Sequence, residues 1–233
     1  MSADGDDLFE AIYSLTKQMI PDFRIKFKNE SIFQRIIGFL LFFNHRYMTE
    51  YTSTFGNTVW FPSRQFVENK KRRAAKILAH ELVHLVDRNT YVVLFEILYL
   101  LPQVFAVFSL FSLLAIWFSP LWLCCLLFLV FVAPIPSITR ANLEMRGYAM
   151  NMAINVWTHG SIPDDMKDWV VGVFSGWGYY RMWPCEEDVR KWIDAVETKI
   201  RNVDVLGEEN NTIFNDGEVY EEVYKIVTGI EFD

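Results

Sequence analysis

The sequence predicts an α+β protein, in which a small antiparallel sheet packs over two helices and an apolar helical hairpin is inserted between them. Three observations lead to this prediction. Strand-like patterns lie within residues 23–61, helical patterns fill most of the rest, and residues 91–136 contain one charged side chain, Glu96. At 233 residues the chain is long enough for one ordinary domain, or for one domain with an insertion.

Composition limits the classes of function and location. Hydrophobic residues make up 52% of the chain and aromatic residues 16%, which is unusual for a soluble protein and favours a membrane contact. The net charge of −7 argues against a nucleic acid partner, and it comes from the acidic tail, residues 202–233. Three cysteines without metal or disulfide spacing indicate a reducing compartment, and the acidic N-terminus argues against a signal peptide.

The first part of the chain supplies the predicted sheet. A helical pattern over residues 7–19 precedes an alternating strand at 23–28, and a second helical pattern at 32–43 ends in a very apolar run. Strand candidates at 47–53 and 58–61 flank a Gly-Asn pair that suits a tight hairpin turn. Pro62 favours an edge position for the second of these strands. We therefore expect a peptide to bind along that edge, formed by Thr58, Val59, Trp60 and Phe61.

Residues 64–89 read as one helix, which carries the sequence His80-Glu81-Leu82-Val83-His84. Side chains four apart lie on one helix face, so both imidazoles can reach a single ion and Glu81 can reach the same space. This arrangement suits a zinc hydrolase, in which the carboxylate takes a proton from a metal-bound water. The alternative is a partly buried histidine pair without a metal. The apolar residues around both histidines favour the metal site, because unpaired polar groups in a buried helix are costly.

Residues 91–136 predict a membrane hairpin. The stretch is about twice the ~20 residues that one helix needs to cross a bilayer, and Ser119-Pro120 makes a suitable turn. Basic residues lie on both flanks and none lies in the turn, which places both ends and the histidine helix on the cytoplasmic side. Pro102 interrupts the first arm and the second arm is short. A re-entrant hairpin, or an apolar helix pair buried in a larger assembly, therefore stays open.

Ser137 is a suitable N-cap for a helix that runs to about Thr158 and carries a polar stripe. The stripe consists of Arg140, Glu144, Tyr148, Asn151 and Asn155. Catalytic zinc needs a third protein ligand, and Glu144, at the centre of the stripe, is the best candidate. His45 and His159 remain as other candidates, and a solvated helix face is the alternative interpretation of the stripe.

The remaining chain predicts helices after Pro163, near 186–201 and at 218–227, with a glycine-broken loop at 174–180 and a polar linker at 207–217. The chain then divides into four parts. Residues 1–90 form the N-terminal part of the core, 91–136 the apolar hairpin, 137–206 the third-ligand helix with the helical C-terminal part, and 207–233 an acidic tail.

A His-Glu-x-x-His helix followed by an intervening segment and a glutamate on a second helix resembles the gluzincin superfamily of zinc metallopeptidases. The apolar insertion is similar to that of the membrane-embedded M48 branch. It is also similar to small phage and bacterial His-Glu-x-x-His proteins with an Arg-x-x-x-Glu-x-x-x-Tyr helix. The resemblance covers about residues 46–158. It implies a minigluzincin-like core, Zn²⁺ as cofactor and a peptide or protein substrate.

Carried over by position, the resemblance makes His80 and His84 ligands, Glu81 the general base and Glu144 the third ligand. These families commonly place Asp four residues after the ligand glutamate, where this chain has Tyr148. Tyr148 could then donate to the developing oxyanion or to a ligand, and Asp87 could supply the orienting carboxylate. Arg140 is expected to pair with Glu144 or Glu81.

The expected function is hydrolysis of peptide bonds at the cytoplasmic face of a membrane. Two other functions stay open: a membrane-anchored scaffold with a non-catalytic zinc site, and a membrane-perturbing protein in which residues 91–136 act and the histidines are incidental. The sequence predicts neither the substrate identity nor the oligomeric state.

Overall fold

The computed structural model describes residues 5–40, 46–133, 135–177, 181–201 and 217–229. The apolar run at 41–43, the candidate ligand His45, the loop residues 178–180 and the linker residues 207–216, about which the sequence makes predictions, lie outside these ranges. The described chain contains three strands, eight α-helices and three 3₁₀ helices. These are α1 (Gly5–Met19), β1 (Arg24–Phe27), a 3₁₀ turn (Lys28–Glu30), α2 (Ile32–Leu40), β2 (Ser53–Phe55), β3 (Thr58–Phe61), α3 (Arg64–Asn69), α4 (Lys71–Leu100), two apolar 3₁₀ helices (Gln103–Ile116 and Pro120–Val132), α5 (Ile138–His159), α6 (Asp164–Ser175), α7 (Glu186–Arg201) and α8 (Gly217–Thr228).

The fold class is α+β, as the sequence predicts, but the sheet is mixed rather than wholly antiparallel. The strand order is β1-β3-β2, with β1 parallel and β2 antiparallel to β3. The expected hairpin between β2 and β3 is present, and Gly56 adopts φ +54° in its turn. That conformation is one that glycine reaches without a steric penalty.

The expected edge position of Thr58–Phe61 is wrong, because β3 is the central strand of the sheet. Its two sides pair with β1 and β2, so its backbone groups offer a peptide no open edge. Pro62 follows the strand instead of interrupting it. The strand order depends on the pairing of β3 with the distant β1. The local sequence pattern around Pro62 carries no information about that pairing.

The strand expected at 47–53 is also displaced. Residues 46–50 form a turn, in which the amides of Thr49, Glu50 and Tyr51 all donate to the Arg46 carbonyl, and β2 begins only at Ser53. Local main-chain hydrogen bonds replace the ladder hydrogen bonds that a strand would need.

The helix expected at 64–89 is two helices, of which the second is longer than expected. Ser63 caps α3 by accepting the Phe66 amide, and α4 begins at Lys71 after a break at Lys70. Helix α4 then continues through the first ten residues of the apolar segment to Leu100, two residues before Pro102. A helix commonly ends just before proline, because the proline ring disfavours a helical conformation of the preceding residue.

The apolar segment turns back on itself where expected. Ser119 caps the turn by accepting the Leu121 amide, and the two apolar 3₁₀ helices pack together through aromatic rings. These contacts are Phe105 with Phe131, Phe108 with Phe128 and Phe111 with Trp122. No single helix of the described residues is both long and apolar enough to cross a bilayer. Val93–Leu100 and Gln103–Ile116 reach that length and composition together, but they are bent by 90°.

The chain folds into two compact units. One contains Met1–Thr90, Arg146–Pro163 and Asp194–Asp233, and the other contains Tyr91–Met145 and Asp164–Ile193. Three of the four dividing points fall inside the helices α4, α5 and α7, and the fourth falls just before α6. In the first unit Ile12 of α1 and Phe61 of β3 are fully or almost fully buried, and so is Tyr220 of α8.

We expect Tyr220 to fix α8 in the core. Its ring is fully buried and its hydroxyl donates to the Arg146 carbonyl at 3.0 Å. Tyr220→Phe should lower the free energy of unfolding by about 1 kcal/mol through the lost hydrogen bond. Tyr220→Ala should lower it by about 3–5 kcal/mol through the cavity. Urea unfolding measures both, with the exposed Glu218→Ala as a control near zero. Wild-type stability of Tyr220→Ala would contradict the packing.

Candidate metal centre

The two motif histidines lie together on one face of α4. Their rings meet edge to face with centroids 4.8 Å apart, and their Nε2 atoms are 3.1 Å apart. Both side chains are buried, with 8% of His80 and 5% of His84 exposed. The short Nε2 separation fits either a shared cation or a single N–H···N hydrogen bond. Two imidazoles bound at about 2.0–2.1 Å to tetrahedral zinc would be about 3.3 Å apart.

Glu144 of α5 completes a group of three potential ligands. One nitrogen from each histidine and one Glu144 carboxylate oxygen lie within 4.8 Å of one another, and Glu144 is 2% exposed. Within the ranges that the structure describes, this is the group of three His, Cys, Asp or Glu residues that could hold a metal ion. The other candidate, His159, instead places its Nε2 3.1 Å from Arg72 Nη2. Two nitrogens and one carboxylate oxygen form a donor set typical of zinc.

The polar stripe of α5 is buried, so it is not a solvated face. Its five members, Arg140, Glu144, Tyr148, Asn151 and Asn155, are all below one tenth exposed. Several of them contact α4 in register. Lys76 donates to Asn155 at 2.6 Å, while His80 contacts both Asn151 and Tyr148. The stripe and the histidine face of α4 therefore form a row of paired polar side chains.

Asn151 contacts the ring nitrogen of His80 that faces away from His84. Its amide nitrogen lies 3.4 Å from His80 Nδ1. A metal on Nε2 leaves the proton on Nδ1, which then needs an acceptor. A half-turn of the Asn151 amide exchanges its oxygen and nitrogen and supplies that acceptor. The sequence points to Asn151 through the stripe but not to this contact.

Gly147 lets α5 approach the His80 ring. A Cβ atom at position 147 would lie 2.6 Å from both His80 Cε1 and Nε2, closer than Cβ atoms approach their neighbours in proteins. Tyr148, the next residue, packs its ring against His80 edge to face at a centroid distance of 4.8 Å. Sequence reasoning missed Gly147 as a site residue. The available signal was a glycine inside a helical pattern, where it costs ~1 kcal/mol relative to alanine.

Tyr99 is a second residue that sequence reasoning missed. Its hydroxyl donates to Glu144 Oε1 at 2.5 Å, and the Arg140 guanidinium carbon lies 4.9 Å from the centre of its ring. Tyr99 belongs to the stretch assigned to the hairpin, yet it is on α4, fifteen residues beyond His84. The expected pairing of Arg140 with Glu144 or Glu81 stays a prediction.

Glu81 contacts the sheet. Thr54 of the edge strand β2 donates its hydroxyl to Glu81 Oε2 at 2.7 Å. Lys28, whose side chain is fully buried, donates to the Tyr47 carbonyl at 2.9 Å and lies 3.7 Å from the centre of the Tyr47 ring. Burial lowers the pKa of Lys28 to about 7, and the negative charge of Glu81 opposes that shift. The strand beside the expected general base is thus β2, not β3.

Asp87, which is buried, forms an ion pair between the two site helices. Its Oδ1 lies 2.8 Å from Nη1 of Arg146 on α5, and 5% of the Asp87 side chain is exposed. The next residue, Arg88, donates to the Gly56 carbonyl at 2.6 Å and so ties α4 to the β2–β3 turn. The role of Asp87 in orienting a ligand histidine stays a prediction.

Comparison with known proteins adds no assignment to this geometry. No protein-family model matches the chain, and neither does any curated protein or solved structure. The resemblance to gluzincins therefore stays a prediction from the residues, and the case for a function depends on the site itself.

Gly147→Ala should weaken metal binding at His80. The added methyl group would lie 2.6 Å from two atoms of the His80 ring, which must shift from its ligand position. We expect Zn²⁺ affinity, measured by competition with a chromogenic chelator, to fall by about 10–100-fold, the usual loss when a residue that positions a metal ligand is changed. Gly172→Ala in α6 is the matched control, because its added methyl meets no atom within 4 Å. Unchanged zinc affinity of Gly147→Ala would contradict the close approach.

Lys28 should make stability rise with pH. Its pKa is about 7 in the folded chain and about 10.5 when unfolded, so the unfolded chain binds more protons between these values. The free energy of unfolding of the wild type, relative to Lys28→Met, should increase from pH 7 to 9.5 by about 3 kcal/mol. Guanidinium unfolding of both proteins at each pH measures the difference. A difference that is independent of pH would show that Lys28 titrates normally.

Proposed function

We propose that this chain is a zinc-dependent metallopeptidase that hydrolyses peptide bonds at a membrane surface. The observation that carries the proposal is the buried group of His80, His84 and Glu144, with Glu81 one residue after the first ligand. A histidine pair alone has simpler explanations. A carboxylate brought to the same point from a different helix, in a chain with a general base beside it, favours a catalytic site.

The donor set fits zinc better than other common ions. Mg²⁺ and Ca²⁺ prefer sites built from oxygen, whereas zinc takes imidazole nitrogen together with carboxylate oxygen. Three protein ligands leave a fourth position for water or substrate. When bound, zinc would polarise a substrate carbonyl and lower the pKa of the attacking water.

The residues of the chain supply the proton transfers. Glu81 would accept a proton from the attacking water and return it to the leaving amine. The Thr54 hydroxyl donates to one oxygen of Glu81. This hydrogen bond would fix the plane of the carboxylate and leave its other oxygen to accept the proton. Tyr148, whose ring contacts His80, would donate to the oxyanion. Tyr99, whose hydroxyl donates to Glu144, would hold that carboxylate as a ligand.

The membrane location is supported by the apolar segment. The two apolar 3₁₀ helices and the turn between them expose large side chains, among them Trp117, Phe118, Leu121 and Leu127. Exposed apolar patches of this kind mark surfaces that contact lipid or protein. The basic flanks of the segment favour a site on the cytoplasmic side.

Glu81→Gln tests the catalytic role without removing a ligand. We expect it to bind Zn²⁺ like the wild type but to lose about 10²–10⁴-fold in peptide hydrolysis, the usual contribution of a general base. A library of peptides from digested cell protein, read by mass spectrometry, serves as substrate for the zinc-loaded protein in detergent. Glu144→Ala is the companion variant, which should lose zinc as well as activity.

The two variants together separate the competing functions. Equal hydrolysis by Glu81→Gln and wild type would rule out this mechanism. Zinc binding that depends on Glu144, without hydrolysis by the wild type, would favour the structural zinc site instead. Harmless alanine substitutions at His80 and His84 would favour the membrane-perturbing protein.

A further inference from the structure

Helix α2 buries a polar side chain and exposes apolar ones, which is the reverse of an ordinary surface helix. Its Gln34 side chain is fully buried, whereas Ile32, Phe33, Ile36 and Phe39 are 75%, 58%, 54% and 79% exposed. A surface helix of a globular protein normally turns its apolar stripe to the core and its polar residues to water. The burial pattern of α2 therefore indicates that something apolar covers its outer face.

Specific hydrogen bonds hold α2 in the rotation that keeps its apolar side chains exposed. Tyr47 donates its hydroxyl to Gln34 Oε1 at 2.6 Å, and Arg35 donates to the Asn29 carbonyl at 2.6 Å. Rotating α2 to bury its apolar face would break both bonds and leave the Gln34 carboxamide to find new partners. The sheet also extends the exposed surface, because Phe55 of β2 meets Phe33 edge to face at 6.1 Å. The α2 face thus consists of Ile32, Phe33, Ile36, Phe39 and Phe55.

The size of the α2 face disfavours a stable protein partner. Among the described residues the face has five large apolar side chains, which is well below the 20–30 residues that each side of a stable protein interface contributes. A bilayer sets no such minimum, since each Phe or Ile side chain that leaves water for the lipid contributes by itself. The apolar sequence also continues beyond α2 as far as Phe43.

The charge around α2 favours an anionic surface. The nearest acidic residues, Glu30 and Glu50, form ion pairs with Arg64 at 3.0 Å and with Arg46 at 3.9 Å. The guanidinium of Arg35 donates to the neutral Asn29 carbonyl instead, so Arg35 supplies the local excess of positive charge. An acidic protein is repelled by anionic lipid except where a local excess of basic residues faces it. Apolar side chains flanked by arginine are the combination found in helices that lie in the interfacial plane of a membrane.

We propose that the α2 face inserts into the interfacial region of an anionic lipid bilayer. It is a contact in the membrane plane, separate in sequence from the apolar 3₁₀ helices. The proposal does not depend on the metal site, because none of its residues is a ligand or the general base.

A nitroxide spin label at position 39 tests the insertion locally. The label is attached to Phe39→Cys in a full-length protein whose Cys124, Cys125 and Cys185 are replaced by serine. Vesicles contain phosphatidylcholine with 30% phosphatidylglycerol, or phosphatidylcholine alone, and relaxation by oxygen and by a nickel chelate reports depth. Glu10→Cys, an exposed helical position in the same unit, is the matched control.

On anionic vesicles we expect the label at 39 to gain oxygen accessibility and to lose at least about half of its nickel accessibility, as at a bilayer interface. The label at 10 should keep its nickel accessibility. Ile32→Cys provides a second site on the α2 face if Phe39→Cys fails to fold. The same depth in the Glu81→Gln background would separate this contact from catalysis.

Three results would overturn the proposal. The first is a label at 39 that stays accessible to nickel on vesicle-bound protein, and the second is protein that does not sediment with anionic vesicles. The third is immobilisation of the label with rising protein concentration in the absence of vesicles, which would assign the α2 face to a second copy of the chain.

Discussion

Burial of polar side chains between α4 and α5 is the constraint on which the candidate site depends. Imidazole, carboxylate and amide groups lose their water there, and each lost hydrogen bond must be replaced inside the protein. The contacts of Lys76 with Asn155, of His80 with Asn151 and of Tyr99 with Glu144 are such replacements. A row of this kind fixes the register of the two helices, because a shift by one turn would separate every pair. The potential ligands therefore meet as a consequence of how the polar row is satisfied.

The sequence predicts the parts of the site that are periodic along one helix. The histidine pair follows from a spacing of four, and Glu144 follows from the polar stripe, whose members prove to be buried. Contacts between helices are a different matter. The closeness of Gly147 to His80, and of Tyr99 to Glu144, depends on the separation and register of α4 and α5. Neither quantity is encoded in the pattern of a single helix, so sequence reasoning could not find these residues.

The same distinction, between local patterns and contacts of distant segments, explains which parts of the fold are predicted correctly. Helices with clear periodicity and end signals are predicted well, as α7 shows, because Pro184 and the residues that follow it mark its start. The β2–β3 turn is predicted from Gly56 and Asn57, which act locally. The position of β3 at the centre of the sheet is not predicted, because it depends on pairing with β1, which lies more than thirty residues earlier in the chain. That error matters for function, because it moves the strand beside Glu81 from β3 to β2.

The missing side chain at Gly147 has a genetic consequence. Every missense change of a glycine codon introduces a Cβ atom, and at this position the first atom added already collides with the His80 ring. A random mutational library that has been selected for function of the metal centre should therefore retain no replacement at position 147. Gly172 tolerates an added methyl group without any neighbour in reach, so changes there should pass the same selection. The contrast between these two helical glycines makes the tolerance of position 147 to mutation a direct measure of whether the cell uses the metal centre.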